Sequence, residues 1–363
     1  MRLGVGSAVV DGTLVEGDVE VGDGVVRAVG LSPDGGLVAA PGFVDLQVNG
    51  FGGVDLRAAD AAGYARAGAT LLRTGVTAYQ PTFITGSEVD TLAALREVPT
   101  APTGPRILGV HLEGPFLSPR RLGTHPGEWR RDPDLALLER LVAAGPVRRV
   151  TLAPELPGAL TLVRWLIERG IVVSAGHTDA TAEQAHAGFA AGIRSVTHLF
   201  NAMRPFAPRD PGIVAVALVR DDLFVQLIVD GEHLAAETVS MVRRAAPRRI
   251  ALVTDAMAAA GGGDGTYYLG DVTVEVVGGV ARRGPRMLAG STVTMDAAVR
   301  NFRAAGADLA EAVNAATLVP ARTLGRRDVG RLTVGGPADV TILDEGLEVR
   351  RVLVAGQVAH EWG

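Results

Sequence analysis

Two residue types are missing altogether from this 363-residue chain: cysteine and lysine. Without cysteine there is no disulfide and no thiolate metal site. Without lysine all 35 basic side chains are arginine, which rules out a carbamylated-lysine metal bridge and a lysine Schiff base. Long apolar runs are lacking too. None reaches the roughly 18 residues of a membrane span, and no charged-then-apolar leader opens the chain. The expectation is a soluble, cytoplasmic protein with no membrane partner. Net charge is −5 with both signs interspersed, so there is no basic stripe for a nucleic acid.

What is plentiful points to an α/β protein. The chain is 47% hydrophobic and carries 47 glycines and 20 prolines, a mixture suited to a packed core with many tight strand-to-helix turns. Its length fits a barrel plus an accessory module. Residues 1–41 and 332–363 share one grammar of short alternating strands broken by Gly-Asp turns, so we expect a small β-sandwich domain assembled from both ends.

Between them, strand-like runs fall at 42–49, 76–82, 106–113, 148–155, 171–177, 194–200, 223–230 and 249–255. Helical patterns such as EVDTLAALREV, GALTLVRWLIERG and ATAEQAHAGFAAGI separate most of them. Eight such units make a TIM-like (β/α)8 barrel across 42–331, with a β-hairpin insertion near 264–290 and helices near 292–305 and 308–319. The long loop 114–131 is a plausible lid.

Chemistry concentrates where the runs end. HLEGP supplies His111 and Glu113, GHTDAT supplies His177, THLFNAM supplies His198, DGEHL supplies His233 and LVTDAM supplies Asp255. Chemistry in such barrels sits at the C-terminal strand ends. Two imidazoles and a carboxylate suit one divalent ion with a coordination position left open. Asp255, alone at the last strand end, is the candidate general base and acid. His111 shares a strand face with Glu113 and is a candidate to support it from behind; His186 and His360 read as solvated surface groups.

These words resemble those of the N-acetylglucosamine-6-phosphate deacetylase family in the amidohydrolase superfamily. The resemblance runs from PGFVDLQVNG through HLEGPF, GTHP, GHTDAT, THLFNAM, VDGEH, LVTDAMAAAG and LAGSTVTM to G-PADV, over essentially the whole chain. It implies Glu113, His177 and His198 as metal ligands, Asp255 as acid/base, and His125 as a polariser of the acetamide carbonyl. It implies substrate contacts at Thr124, Asn201, Ala202, Asp230, Gly231, Glu232, His233, Leu288, Ala289 and Gly290. Arg209 would reach the phosphate from the neighbouring subunit of a homodimer. The ion would be Zn²⁺, with Fe²⁺, Co²⁺ or Mn²⁺ able to fill the same place.

The first barrel strand departs from the wider superfamily. Where many members carry His-X-His for a second metal, this chain has Gln47 and Asn49, both poor zinc ligands. One metal is therefore expected, with Gln47 and Asn49 bonding water or substrate. The implied reaction releases acetate from N-acetyl-D-glucosamine 6-phosphate. The alternatives are a related amino-sugar phosphate such as N-acetylgalactosamine 6-phosphate, or a non-catalytic protein that keeps the fold.

Overall fold

The computed structural model describes residues 1–101 and 104–362. Eight parallel strands form the central barrel: β1 (Phe43–Val48), β2 (Val76–Ile84), β3 (Val110–Glu113), β4 (Val147–Leu152), β5 (Val172–Ala175), β6 (Ser195–Val196), β7 (Phe224–Leu227) and β8 (Ile250–Leu252). Each pairs with the next in chain order. The first and last meet through a parallel bridge between Val48 and Ala256, where the Asn49 amide donates to the Ala256 carbonyl at 2.8 Å.

Helices cover the outside because their apolar residues recur on one face. In Ala159–Glu168 the buried positions are Ala159, Leu162, Val163 and Leu166, the three-and-four spacing of a helical stripe. The helix Ala182–Ala190 starts on a reciprocal cap between Thr181 and Gln184. No helix among the described residues is long and apolar enough to cross a membrane.

The two ends of the chain do share a sheet. Its six strands run in the order Thr13–Glu16, Ser7–Val10, Val38–Pro41, Val340–Leu343, Val349–Val354, Gln357–Glu361. A ribbon of Asp18–Gly22 and Val25–Leu31 faces it, and Val19, Val21 and Val26 pack with Ala39, Val340, Ile342 and Leu353 into a second core.

Three expectations need correction. The run 106–113 divides into Arg106–Ile107 and β3, because Gly109 turns left-handed (φ 86°); a side chain there would lie 2.7 Å from the Pro146 carbonyl. The insertion is a four-stranded antiparallel meander rather than one hairpin, made of Gly265–Leu269, Val272–Val277, Val280–Arg283 and Met287–Leu288. Its inward valines, Val272, Val274 and Val276, seat on Ile84, Met257 and Ala259 beside the barrel mouth. His360 is half-buried against Trp362, its Nε2 without a partner, whereas His186 is exposed.

Barrel closure depends on a buried carboxylate. Asp45 of β1 accepts the Thr254 hydroxyl at 2.5 Å and the backbone amides of Thr254 and Gln47 at 3.3 and 3.2 Å. Burial pushes its pKa up to about 7. Replacing it leaves two buried amides unpaired, each worth about 1–3 kcal/mol. Asp45→Ala is therefore expected to lower the free energy of unfolding by roughly 2–4 kcal/mol, and the neutral isostere Asp45→Asn by less than half of that. Urea denaturation measures both, and a wild-type midpoint for the alanine variant would refute this account of closure.

Candidate metal centre and active site

Four site residues leave the barrel at strand ends. Glu113 is the last residue of β3; His177, His198 and Asp255 follow β5, β6 and β8 by two or three residues. The last three have left-handed backbones, with φ of 47°, 28° and 49°. Side chains other than glycine adopt this region at a cost of order 1–3 kcal/mol, and such strain gathers at functional sites. Here hydrogen bonds hold it. The His177 carbonyl accepts from Ser118 N at 2.9 Å, that of His198 from Asn201 N at 3.0 Å, and that of Asp255 from Ser291 N at 2.8 Å.

Three ligand-type atoms converge. His198 Nε2 lies 2.9 Å from Glu113 Oε1, His177 Nε2 lies 3.2 Å from the same oxygen, and the two imidazole nitrogens are 3.1 Å apart. Ligands about 2.0–2.1 Å from a tetrahedral ion stand about 3.3 Å from one another, so the spacing fits a common central ion. Donor chemistry agrees. His177 Nδ1 donates to the Arg121 carbonyl at 2.9 Å, which leaves the Nε2 lone pair facing the cluster. All three residues are buried.

His125 approaches the same carboxylate from the other side, with Nε2 3.7 Å from Glu113 Oε2. With Glu113 and His177 it forms a second compact trio of ligand-type atoms. Its tautomer argues for a different role. The Thr85 amide donates to His125 Nδ1 at 3.2 Å, so the ring proton is on Nε2 and points into the cleft as a donor. Burial, followed by the charge of His177, brings the His125 pKa down to about 4, and the ring is neutral at physiological pH. Burial alone would raise the Glu113 pKa, but the surrounding imidazoles of His125, His177 and His198 more than offset it and keep the carboxyl well below its ordinary range.

Asp255 is not alone. Gln47 Nε2 donates to its Oδ1 at 3.0 Å and to Glu113 Oε1 at 3.1 Å, while Asn49 Nδ2 donates to Asp255 Oδ1 at 2.7 Å. Gln47 and Asn49 turn their amide nitrogens to the two carboxylates and leave Gln47 Oε1 and Asn49 Oδ1 without a protein partner, open to the water or substrate expected there. Burial, then the charge of Glu113, pushes the Asp255 pKa up to about 6. His111 sits one layer below, bonded to Thr82 and Thr151 at 3.2 and 2.7 Å.

A cleft of about 310 Å³, open to solvent, lies over this cluster, within the size range of small-molecule sites. Asn49, Glu113, Thr124, His125, His177, His198, Asn201, Ala202, His233, Asp255, Leu288 and Gly290 line it. Asp230 stands behind His233, its carboxylate 2.7 Å from Nδ1. Gly231 and Glu232 are exposed, and Glu232 pairs with Arg282 at 3.4 Å. Ala289 is fully buried. Arg209 is exposed and does not line the cleft. The loop 114–131 is tied down, since Arg121 bonds Asp179 at 2.8 Å and the Thr124 carbonyl accepts from Arg283 at 2.8 Å.

Sequence reasoning missed Ile84, Gly123, Ile228, Leu269, Arg286 and Met287, all of which line the cleft. Apolar wall residues carry no motif, and Arg286 reaches the cleft only because of how the meander folds. Gly290, already expected at the site, shows why a glycine stands there. It is left-handed (φ 64°) and packs so closely that a side chain would lie 2.8 Å from the Asp255 carbonyl.

Residues 38–359 match the amidohydrolase family, and the chain belongs to that family. It is thus a hydrolase of carbon–nitrogen bonds and groups with the N-acetylglucosamine-6-phosphate deacetylases. The Homo sapiens N-acetylglucosamine-6-phosphate deacetylase is 39% identical over 346 residues, covering 90% of this chain and 84% of that protein. N-acetylgalactosamine-6-phosphate deacetylase of Escherichia coli O157:H7 is 37% identical over 363 residues and 96% of both chains. The N-acetyl-D-glucosamine-6-phosphate deacetylase of Mycobacterium smegmatis, solved as an aspartate-to-alanine mutant with N-acetyl-D-glucosamine-6-phosphate, superposes with a TM-score of 0.94 at 37% identity over 99% of both chains.

If the converging trio holds the ion, removing one donor should empty the site. Glu113→Gln is expected to retain less than about a tenth of the wild-type metal after dialysis, in line with the penalty for losing a charged ligand. Asp255→Asn should keep its metal. Elemental analysis of the purified proteins reads this directly, and full metal content in Glu113→Gln would exclude Glu113 as a ligand.

Proposed function

We propose that the chain hydrolyses the acetamide of N-acetyl-D-glucosamine 6-phosphate to D-glucosamine 6-phosphate and acetate. The observation that carries this reading is the convergence of Glu113, His177 and His198 beside Asp255 on the floor of one cleft. In this reading Glu113, His177 and His198 hold one Zn²⁺, which supplies Lewis acidity and activates water for attack on a carbonyl. Two imidazole nitrogens and one carboxylate oxygen, all buried, would suit zinc among the divalent metals.

The chain's own groups do the rest. Asp255, raised by burial and by Glu113 into the range of a neutral-pH base, takes the proton of the attacking water and returns it to the departing amine nitrogen. Gln47 and Asn49 occupy its Oδ1 and so direct Oδ2 to the cleft. His125, neutral and with its proton on Nε2, donates to the carbonyl oxygen as negative charge develops there. Thr124, Asn201, Ala202, His233, Leu288 and Gly290 surround the sugar and the acetyl group, with Asp230 orienting His233. Gly231, Glu232 and Ala289 act through their backbone.

The phosphate falls to Arg209, whose guanidinium offers a planar two-donor fork. Arg209 lies outside its own chain's cleft, which suits an arginine that serves the partner's site in a homodimer. A phosphorylated sugar does not cross a membrane unaided, so the cytoplasm is the compartment that fits. A second reading, N-acetylgalactosamine 6-phosphate as substrate, is favoured by the similarity to the Escherichia coli O157:H7 enzyme over 96% of both chains.

Purified protein should release acetate from N-acetylglucosamine 6-phosphate, stop on chelation and recover with zinc. Asp255→Asn is expected to lose at least about 10²-fold in kcat. Arg209→Ala should raise KM for the phosphorylated sugar by about tenfold or more and leave an unphosphorylated analogue unaffected. Metal-loaded protein that releases no acetate from either epimer would refute the substrate assignment, and equal effects of Arg209→Ala on both sugars would refute its phosphate role.

A further inference from the structure

Arg149 of β4 is fully buried and is the bulkiest such side chain among the described residues. In the parallel register it stands beside His111, and Thr151, two residues on, stands beside Glu113. The guanidinium therefore lies one layer beneath the carboxylate of the proposed metal centre. Its bonds go to a carbonyl and two hydroxyls and to no carboxylate. Nη1 donates to Leu46 O at 3.2 Å, and Nη2 donates to Ser174 Oγ at 3.4 Å and Thr197 Oγ1 at 3.2 Å.

Those acceptors belong to a continuous polar layer. Thr197 Oγ1 lies 2.7 Å from Ser174 Oγ and 2.8 Å from Thr151 Oγ1, Thr151 lies 2.7 Å from His111 Nε2, and His111 Nδ1 lies 3.2 Å from Thr82. A charge taken out of water to meet only neutral partners is costly. A methionine would fill much of the same volume without that cost. What the charge acts on is shown by where its fork ends. Leu46 precedes Gln47, the donor shared by Glu113 and Asp255, and Thr197 precedes His198.

We propose that Arg149 is a positioning residue. Its two-pronged fork fixes the distance between the strand bearing Gln47 and the strand end bearing His198, and so sets the convergence of the ligand trio and the placing of Asp255. This extends the hydrolase reading above but has its own observable. The charge alone would repel a bound divalent ion, so deleting it by electrostatics tightens metal binding. Losing the fork loosens the ligand set and weakens binding. The two effects have opposite signs.

The experiment is a Co²⁺ titration of the full-length chain and its variants, read by the visible absorption band of the bound ion, with kcat and KM measured alongside. Arg149→Met is expected to weaken Co²⁺ binding by about tenfold or more, alter the band, and lower kcat at saturating metal by a similar factor with KM within about threefold. Arg149→Lys, which keeps the charge but loses the planar fork, should weaken Co²⁺ binding and lower kcat in the same direction, by about threefold or more. Unchanged or tighter Co²⁺ binding with a wild-type band in Arg149→Met overturns the proposal.

Should that variant fail to fold, Thr197→Val removes one acceptor of the fork and keeps the charge. It is expected to show the same changes at about threefold, and a wild-type band and affinity there would equally overturn the idea. If the wild-type protein releases no acetate, the substrate assignment falls while the cobalt titration still decides the role of Arg149.

Discussion

The site depends on keeping one buried carboxylate, that of Glu113, ionised. Taking a carboxylate out of water costs several kcal/mol unless donors replace the lost solvation. Here Gln47 donates from one side, and the ring nitrogens of His177 and His198 close in from the other as co-ligands of the proposed ion. Once Glu113 is held as an anion, its neighbour cannot be an ordinary acid. Asp255, buried beside it and sharing Gln47, is pushed up to about 6 by burial and then by the Glu113 charge. Two carboxyl groups a short distance apart thus acquire different proton affinities, the separation that lets one serve as a ligand and the other carry a proton.

The barrel supplies what these groups need, which is rigidity against strain. His177, His198 and Asp255 all turn back through a left-handed conformation just after their strands end. Each turn is secured by a backbone amide from another segment or from the following loop. Asp45 fastens the first strand to the segment after the last one. The polar layer around Arg149 ties six of the eight strands together one level below. A site assembled from separate strand ends can be no more accurate than the spacing of those strands.

Much of this was legible in the residues. The eight apolar runs, the two-ended sheet and the placing of Glu113, His177, His198 and Asp255 at strand ends follow from alternation and turn chemistry, which are local. What was not legible is set by distance in sequence. That Gln47 and Asn49 also hold Asp255 is not legible, because nothing nearby shows that Asp255, more than 200 positions later, will stand opposite. The split at Gly109 hides inside an apolar run, since only the approach of Pro146 makes a left-handed turn necessary there. The meander reads as a single hairpin because Val280–Arg283 and Met287–Leu288, at four and two residues, are too short to carry a pattern.

The shared terminal sheet has a consequence for how the molecule comes into being. Val38–Pro41 pairs with Val340–Leu343, and half of the six strands come from residues beyond 339. During synthesis residues 1–41 must wait, their apolar edge unpaired, until the segment beyond residue 339 has left the ribosome. The barrel between them closes sooner, once the segment with Thr254 and Ala256 has emerged to meet its first strand. Contacts of such long sequence separation form slowly and leave exposed edges prone to aggregation. The early strands are thus the segment most in need of chaperone protection, and the last to gain from the fold they complete.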